Sequence, residues 1–205
     1  MRLSIEVAPS DIVVCMITKR EDKKYTKTKG GYAHMWEPDY EREANYWIEK
    51  DAVSKKMNAE RLKERIDAFL AERKTCALAT ACEDLVRCTP IEYNYLDEAF
   101  YFFSEGGLKF KALRDNKNVS LAIFDGYSGF GTLKGLQVQG TASLIEPFSE
   151  EYIKLLDYKK IPIDGMKKLP KAMNLIKVVP KSFDLLDSDL KKEGVDSRQH
   201  LDVDN

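Results

Sequence analysis

Residues 74–104 read KTCALATACEDLVRCTPIEYNYLDEAFYFFS and carry the strongest indication of the fold class. The small residues of 74–81, the alternating pattern of 85–96 and the aromatic run of 99–104 each favour a β-strand. Asp97-Glu98 separates the last two segments and is typical of a tight turn. These two strands are therefore expected to form an antiparallel hairpin.

Within residues 85–96, the alternation changes at Pro90. Proline cannot donate to a ladder, so this change predicts a sheet edge or a β-bulge at Pro90. The side chains expected on one side of this segment are Val86, Cys88, Ile91, Tyr93 and Tyr95.

The rest of the chain alternates between strands and helices. A Gly-Gly break precedes a short helix over 108–114, strand patterns cover 119–124, 136–145 and 173–186, and a helix begins near Ser149. The predicted fold class is mainly β with α insertions (α+β), a closed or half-closed antiparallel barrel. No G-x-G-x-x-G or P-loop motif follows a strand, which excludes a dinucleotide fold. The residues expected to face inward are Leu108 with Ala112 or Leu113, alternate positions from Leu136 to Leu144, and Tyr152, Leu155 and Leu156.

A helical lead-in precedes the barrel. Asn58 is a candidate N-cap, and the apolar residues after it recur at helical spacing on one face. Residues 40–56 are also compatible with a helix, with Tyr46, Trp47 and Val53 as possible anchors. The apolar face of the second helix consists of Leu62, Ile66, Phe69 and Leu70.

The net charge, the apolar runs and the cysteines indicate which classes of protein are expected. The 205 residues carry a net charge of −1, which predicts no global attraction to nucleic acid or to an anionic membrane. No apolar run approaches the ~20 residues that span a bilayer, and residues 1–20 lack a signal-peptide cleavage pattern, so a cytoplasmic location is expected. Free, mostly buried cysteines are expected, and no metal site, since no cysteine pair has ligand spacing.

The chain is expected to have three parts. Residues 1–45 form an N-terminal extension of unknown role, in which residues 1–30 are expected to be a small hairpin or an extended segment. Residues 46–187 form the barrel domain, and residues 188–205 form a polar, mobile C-terminal tail.

The order of these segments resembles that of a known family. A helix, TCALATA, VRCTPIEY, FYFFSEGGLKFKAL, NKNVSLAI and LQVQGTA follow one another over residues 59–187, as in the pyridoxamine 5′-phosphate oxidase-like split β-barrels that bind FMN. The resemblance implies an antiparallel split β-barrel of the FMN-binding type. It also implies a homodimer in which FMN lies across the interface.

The resemblance also implies which residues hold the cofactor. Arg87 matches the family's phosphate-binding arginine and Lys109 its lysine, with Lys111 as a second candidate. A planar guanidinium and an ammonium suit a phosphate dianion, and free N–H groups at the Gly-Gly turn would add to them. Ordinary alternatives remain open: Arg87 as a surface or cross-strand ion pair, and the two lysines as solvated. The other residues implied in the cofactor site are Cys88, Thr89, Pro90, Phe102, Phe103 and Ser104.

Three departures concern the substrate side of the family's site. Glu92 stands where the oxidases have a substrate-holding lysine, and a position near Gly135 lacks their glutamine. The tripeptide Arg198-Gln199-His200 matches their C-terminal Arg-x-His, but no tryptophan follows Trp47. A carboxylate at position 92 would repel a phosphate-bearing substrate, so pyridoxamine 5′-phosphate is not the expected substrate.

Two classes of function stay open at this point, beside an empty scaffold that only dimerises. One is an FMN-dependent oxidoreductase of unknown substrate with no assigned catalytic residue. The other is a protein that binds flavin, haem or a deazaflavin for sensing or storage without turnover. Haem would need an axial ligand, which only His34, His200 or a cysteine supplies.

Overall fold

The computed structural model describes residues 27–28, 31–32 and 38–203, and the chain divides into two compact units after Ala44. In the first unit, β1 (Lys27–Thr28) pairs with β2 (Gly31–Tyr32) in antiparallel register. The rest of residues 1–37, including Cys15 and His34, lies outside the described residues.

Two helices precede the sheet, α1 (Tyr40–Ala52) and α2 (Ala59–Ala71). The Asn58 side chain accepts hydrogen bonds from the N–H groups of Glu60 and Arg61, which confirms the predicted N-cap. All four predicted apolar residues of α2 are buried, whereas α1 buries none of its residues. Val53 is 84% exposed, so its predicted role as an anchor is wrong.

The remaining elements form one eight-stranded antiparallel sheet with helical insertions. Its strand order is β4-β3-β7-β8-β9-β6-β5, and β10 also pairs with β9. The strands are β3 (Thr75–Cys82), β4 (Leu85–Glu92), β5 (Asn94–Leu96), β6 (Ala99–Ser104), β7 (Asn118–Phe124), β8 (Lys134–Ile145), β9 (Asn174–Asp187) and β10 (Arg198–Asp202). The insertions are α3 (Lys109–Asp115), α4 (Glu150–Tyr158), α5 (Ile163–Lys167) and two 3₁₀ turns, Phe130–Thr132 and Ser188–Glu193.

The connection between β4 and β5 shows why the sheet curls. These strands stand at opposite ends of the strand order, yet only Tyr93 separates them in the chain. Tyr93 is buried, and its hydroxyl donates to the carbonyl oxygen of Leu70 at 3.0 Å. The two ends of the sheet must therefore meet, which confirms the expected split β-barrel.

The register of β3 and β4 decides between the two alternatives expected at Pro90, and the sheet edge is confirmed. The register runs without a break from Thr75 opposite Glu92 to Cys82 opposite Leu85, so there is no bulge at Pro90, although β4 is an edge strand. The irregularity lies in β8 between Gln139 and Gly140. A Cβ atom at Gly140 would stand 2.6 Å from the Val179 carbonyl oxygen, so glycine permits this close approach.

The two faces of β4 follow from this unbroken register. Arg87 lies opposite the buried Thr80 and shares its inner face, together with Thr89 and Ile91. Val86 and Cys88 point the other way and are exposed, so they do not share a side with Ile91 as expected. Cys88 is thus not buried, whereas burial raises the pKa of Cys76 to about 12.

Apolar residues form two clusters. The larger one fills the barrel beneath α2, and the smaller one lies under α4, whose predicted residues Tyr152, Leu155 and Leu156 are all buried. Two expected inward residues are exposed instead, because Leu108 precedes the first turn of α3 and Leu144 lies near the end of β8.

The C-terminal segment is ordered, contrary to the expected mobile tail. Residues of β10 pair with Ser182–Leu186 of β9, and Leu190 and Gln199 are buried. The Gln199 amide accepts from the Met57 N–H at 2.8 Å and donates to the carbonyl oxygens of Lys55 and Asp196. A largely polar sequence is therefore held by hydrogen bonds together with a few apolar residues, since Leu190 joins the core and Leu201 packs against it.

None of the helices within residues 38–203 combines the length and the apolar character needed to cross a lipid bilayer.

Candidate functional site

The turn between β6 and α3 places a lysine beside Arg87. Gly106 and Gly107 have φ values of +149° and +107°, which residues other than glycine rarely adopt. The turn is further fixed by Ser104, whose Oγ accepts from the Gly106 N–H at 3.2 Å. Lys109 follows, only 8% exposed, and its Nζ donates to the Gly106 carbonyl oxygen at 2.6 Å.

Helix α3 lies against β4, and the charge of Arg87 acts on this lysine. Burial lowers the pKa of Lys109 below its ordinary value, and the positive charge of Arg87 lowers it further. Among the residues that the structure describes, no carboxylate pairs with Arg87 or Lys109. We call these two side chains the cation pair. Arg87 therefore has no cross-strand ion pair with a described carboxylate, but its side chain is exposed, in agreement with the other ordinary interpretation, a surface residue.

An uncompensated pair of cations suits an anion with two negative charges. Arginine and lysine side chains have only donors, so together they offer several hydrogen bonds to phosphate oxygens. A phosphate dianion would also remove the repulsion that lowers the pKa of Lys109. The donor set present here therefore fits the phosphate group of a nucleotide cofactor.

The other predicted site residues fall into separate places. Ser104 belongs to the turn beneath Lys109, and Thr89 lies half-buried on the same face of β4 as Arg87. Cys88 and Pro90 are exposed and occupy the opposite face. Lys111, also on α3, is exposed, whereas Lys109 is buried.

The two phenylalanines pack differently. Phe102 is fully buried in the larger cluster, and Phe103 contacts the smaller one. Strand β5 pairs only with Ala99–Tyr101 of β6. The backbone edge of residues 102–104 that faces away from β9 is therefore uncovered by any strand of the described chain.

A second feature, on the outer face of the sheet, was not predicted. A cavity of about 130 Å³ is lined by Phe124, Gly135, Asp184, Arg198 and neighbouring backbone. The Arg198 guanidinium lies 4.2 Å from the centroid of the Trp47 ring. The Arg-Gln-His tripeptide was the only sequence signal for this cavity, and nothing in it pointed to Trp47.

His200, the last residue of that tripeptide, is held by two carboxylates. Its Nδ1 lies 2.8 Å from Asp184 and its Nε2 3.1 Å from Asp202. Burial alone would lower the pKa of His200, but these hydrogen bonds raise it above its ordinary value. Both ring nitrogens are thus occupied by carboxylates, one on β9 and one on β10.

Glu92 also has a partner that the sequence did not reveal. The Lys159 ammonium, at the end of α4, lies 2.7 Å from its carboxylate. The negative charge expected to repel a phosphate-bearing substrate is therefore balanced by a lysine from another element.

Comparison with known proteins places the chain in a family. The family model described as pyridoxamine 5′-phosphate oxidase matches residues 62–179, more than half of the chain. No curated protein matches the sequence.

Solved structures share the fold at low sequence identity. ChuZ of Campylobacter jejuni has a TM-score of 0.54 at 17% identity, over 82% of this chain and 70% of that one. General Stress Protein 26 of Bacillus anthracis has a TM-score of 0.50 at 19% identity, over 69% and 98%. HutZ, the heme storage protein of Vibrio cholerae, has a TM-score of 0.48 at 22% identity, over 60% and 91%. With its matched residues spanning α2 to β9, the chain belongs to the pyridoxamine 5′-phosphate oxidase family.

Proposed function

We propose that this protein binds FMN through the cation pair and acts as a flavin-dependent oxidoreductase. The observation that carries the proposal is that Arg87 and the nearly buried Lys109 interact electrostatically and that neither pairs with a carboxylate of the described residues. Arg87 is exposed and Lys109 is nearly buried, and a bound phosphate dianion would offset the repulsion between their two positive charges.

The flavin, when bound, supplies hydride or electron transfer. The protein's own residues bind and orient it. Arg87 and Lys109 hold the phosphate, and Ser104 fixes the turn that carries Lys109. The uncovered backbone edge of residues 102–104 offers N–H and C=O groups to the polar edge of the ring.

We further propose that two copies associate through the outer face of the sheet and complete the flavin sites. The outer face of β3 carries the small residues Ala77, Ala79 and Ala81, which allow another surface to approach closely. Val86 and Phe124 are 72% and 70% exposed on the same face. An obligate interface of this kind buries about 2,000 Å² or more, and its two-fold symmetry makes two equivalent sites.

Titration with FMN and with FAD, followed by flavin fluorescence quenching, tests the cofactor. Binding of FMN in preference to FAD is expected, because the site has a single phosphate clamp and no turn for a pyrophosphate. Equal or tighter binding of FAD contradicts the proposal. Bleaching of the bound flavin by NAD(P)H supports turnover, whereas a stable yellow protein without bleaching favours a storage or sensing role.

Light scattering during the same titration tests the assembly. A dimer that binds two FMN molecules is expected. A monomer that binds FMN tightly would rule out the shared site.

A further inference from the structure

The hydroxyl of Thr80 is buried without a hydrogen-bond partner. Thr80 is 2% exposed. Three buried side-chain polar atoms of the described residues lack a hydrogen-bond partner: Thr80 Oγ1, the Tyr95 hydroxyl oxygen and Arg198 Nε. Folded proteins leave few buried hydroxyls unpaired, because each loses its hydrogen bonds to water. The position of Thr80 therefore needs an explanation.

Its neighbours across the sheet explain why it lacks an acceptor. Thr80 on β3 lies directly opposite Arg87 on β4 and opposite Val119 on β7. Side chains of directly opposed residues lie on the same face, with Cβ atoms about 4.5–5.5 Å apart. Valine offers no acceptor and arginine offers only donors, so neither neighbour takes the proton of the hydroxyl.

Helix α3 is fixed against the same end of β3. The Asn116 side chain donates to the Ala81 carbonyl oxygen at 2.9 Å, and the Cys82 thiol lies 3.9 Å from the Lys111 carbonyl oxygen. These contacts join the body of α3 to the residues directly after Thr80. Lys109 at the start of this helix, Arg87 and Thr80 thus belong to one small region of the barrel.

We propose that Thr80 is a third phosphate-binding residue, whose hydroxyl donates to an oxygen of the phosphate held by the cation pair. The oxygens of a phosphate group can accept from all three side chains, because each of the three has a donor to offer. This inference rests on the proposed FMN site and adds a neutral donor to it.

The test compares FMN affinity and thermal stability in Thr80→Val, which keeps the shape and removes the hydroxyl. FMN affinity is expected to fall about tenfold, the loss of one hydrogen bond to a charged group. The melting temperature of the flavin-free protein should stay unchanged or rise, because the unpaired hydroxyl is gone. Thr80→Ser should bind FMN within a few-fold of the parent.

Two controls isolate the phosphate. Riboflavin lacks the phosphate, so its affinity should be the same for the parent and Thr80→Val. Thr75→Val, on the opposite face of β3, should leave FMN affinity unchanged.

The outcomes separate this inference from the proposal on which it rests. If Thr80→Val binds FMN like the parent while Arg87→Ala binds weakly, Thr80 is not a ligand and the FMN site stands. If both variants bind FMN like the parent, the FMN site itself is wrong. A fall in stability of flavin-free Thr80→Val, or an equal loss of riboflavin affinity, assigns Thr80 to the fold and overturns the inference.

Discussion

Two arginines of this barrel are placed in opposite electrostatic settings. Arg65 on α2 donates to the buried Asp187, which lies 3.7 Å from the Lys134 ammonium as well. Arg87 on β4 has a lysine for its neighbour and no described carboxylate. The first setting compensates a buried charge and joins a helix to the sheet. The second leaves positive charge uncompensated, which contributes nothing to the stability of the empty protein.

This contrast separates residues that serve the fold from residues placed for a ligand. A buried carboxylate with two cationic partners is strongly destabilised when it loses them. Two neighbouring cations gain from an added anion instead. Substitutions in the two settings should therefore act on different measurements, stability in one and affinity in the other.

The largest expected effect is on FMN affinity. Arg87→Ala and Lys109→Ala should each weaken binding by about 1.5–3 kcal/mol, tenfold or more, because each removes a charge-assisted contact to the phosphate. Fluorescence titration measures this change, and circular dichroism should show an intact fold. Lys111→Ala is the matched control, since this lysine is exposed on the same helix. Parent-like binding by both variants would refute the assignment.

The next effect is on stability. Asp187→Asn should lower the free energy of unfolding by about 2 kcal/mol, less than the ~3–5 kcal/mol of fully buried pairs, because Arg65 is 38% exposed. Denaturant unfolding measures it. FMN affinity of the folded variant should match that of the parent, and a loss of affinity as large as that of Arg87→Ala would remove the contrast between the two settings.

The cation pair should also respond to pH. The pKa of Lys109 is lowered by burial and by Arg87, so the folded, flavin-free protein binds fewer protons than the unfolded chain just below the ordinary lysine pKa of 10.5. The contribution of Lys109 to stability should therefore become less unfavourable as pH rises through this window. FMN affinity should fall over the same range, because deprotonation of Lys109 removes a positive charge that attracts the phosphate.

Calorimetric titration between neutral and alkaline pH measures this dependence. Lys109→Arg keeps the charge at every pH used and should flatten the curve. An equally steep fall in Lys109→Arg would show that another group titrates.

The smallest effects concern Glu92. Its ion pair with Lys159 is at the surface, so Glu92→Gln should change stability by less than about 1 kcal/mol and leave FMN affinity unchanged. An oxidase assay on pyridoxamine 5′-phosphate should detect no robust product formation by the parent. If Glu92→Lys gains this activity, charge at position 92 sets substrate choice. Robust activity of the parent would overturn the expectation outright.

Much of the fold follows from local pattern. The helical spacing of Leu62, Ile66 and Phe69 correctly predicted the buried face of α2, because each turn of a helix brings these residues to one side. Asp97 and Glu98 have positive φ values of 49° and 58°, as the tight turn between aromatic strands requires. The family resemblance correctly indicated the split barrel, which the closure at Tyr93 makes visible.

Faces and partners were harder to predict. Cys88 was expected to be buried because the change of pattern at Pro90 looked like a register shift, whereas the pairing of β3 and β4 continues unbroken. The C-terminal segment looked mobile because it is polar. Its order depends on Gln199, whose hydrogen bonds reach Lys55 and Met57.

Local pattern in the sequence was enough for the main helices and strands from α2 to β9, and the family resemblance supplied Arg87 and Lys109 as candidate phosphate ligands. The folded structure was needed to show that Lys159 balances Glu92 and that, among the described residues, no carboxylate pairs with the two cations and no acceptor reaches Thr80. The physical reason is that periodicity depends on neighbours along the chain. Electrostatic and hydrogen-bond partners depend on which strands the curled sheet brings side by side.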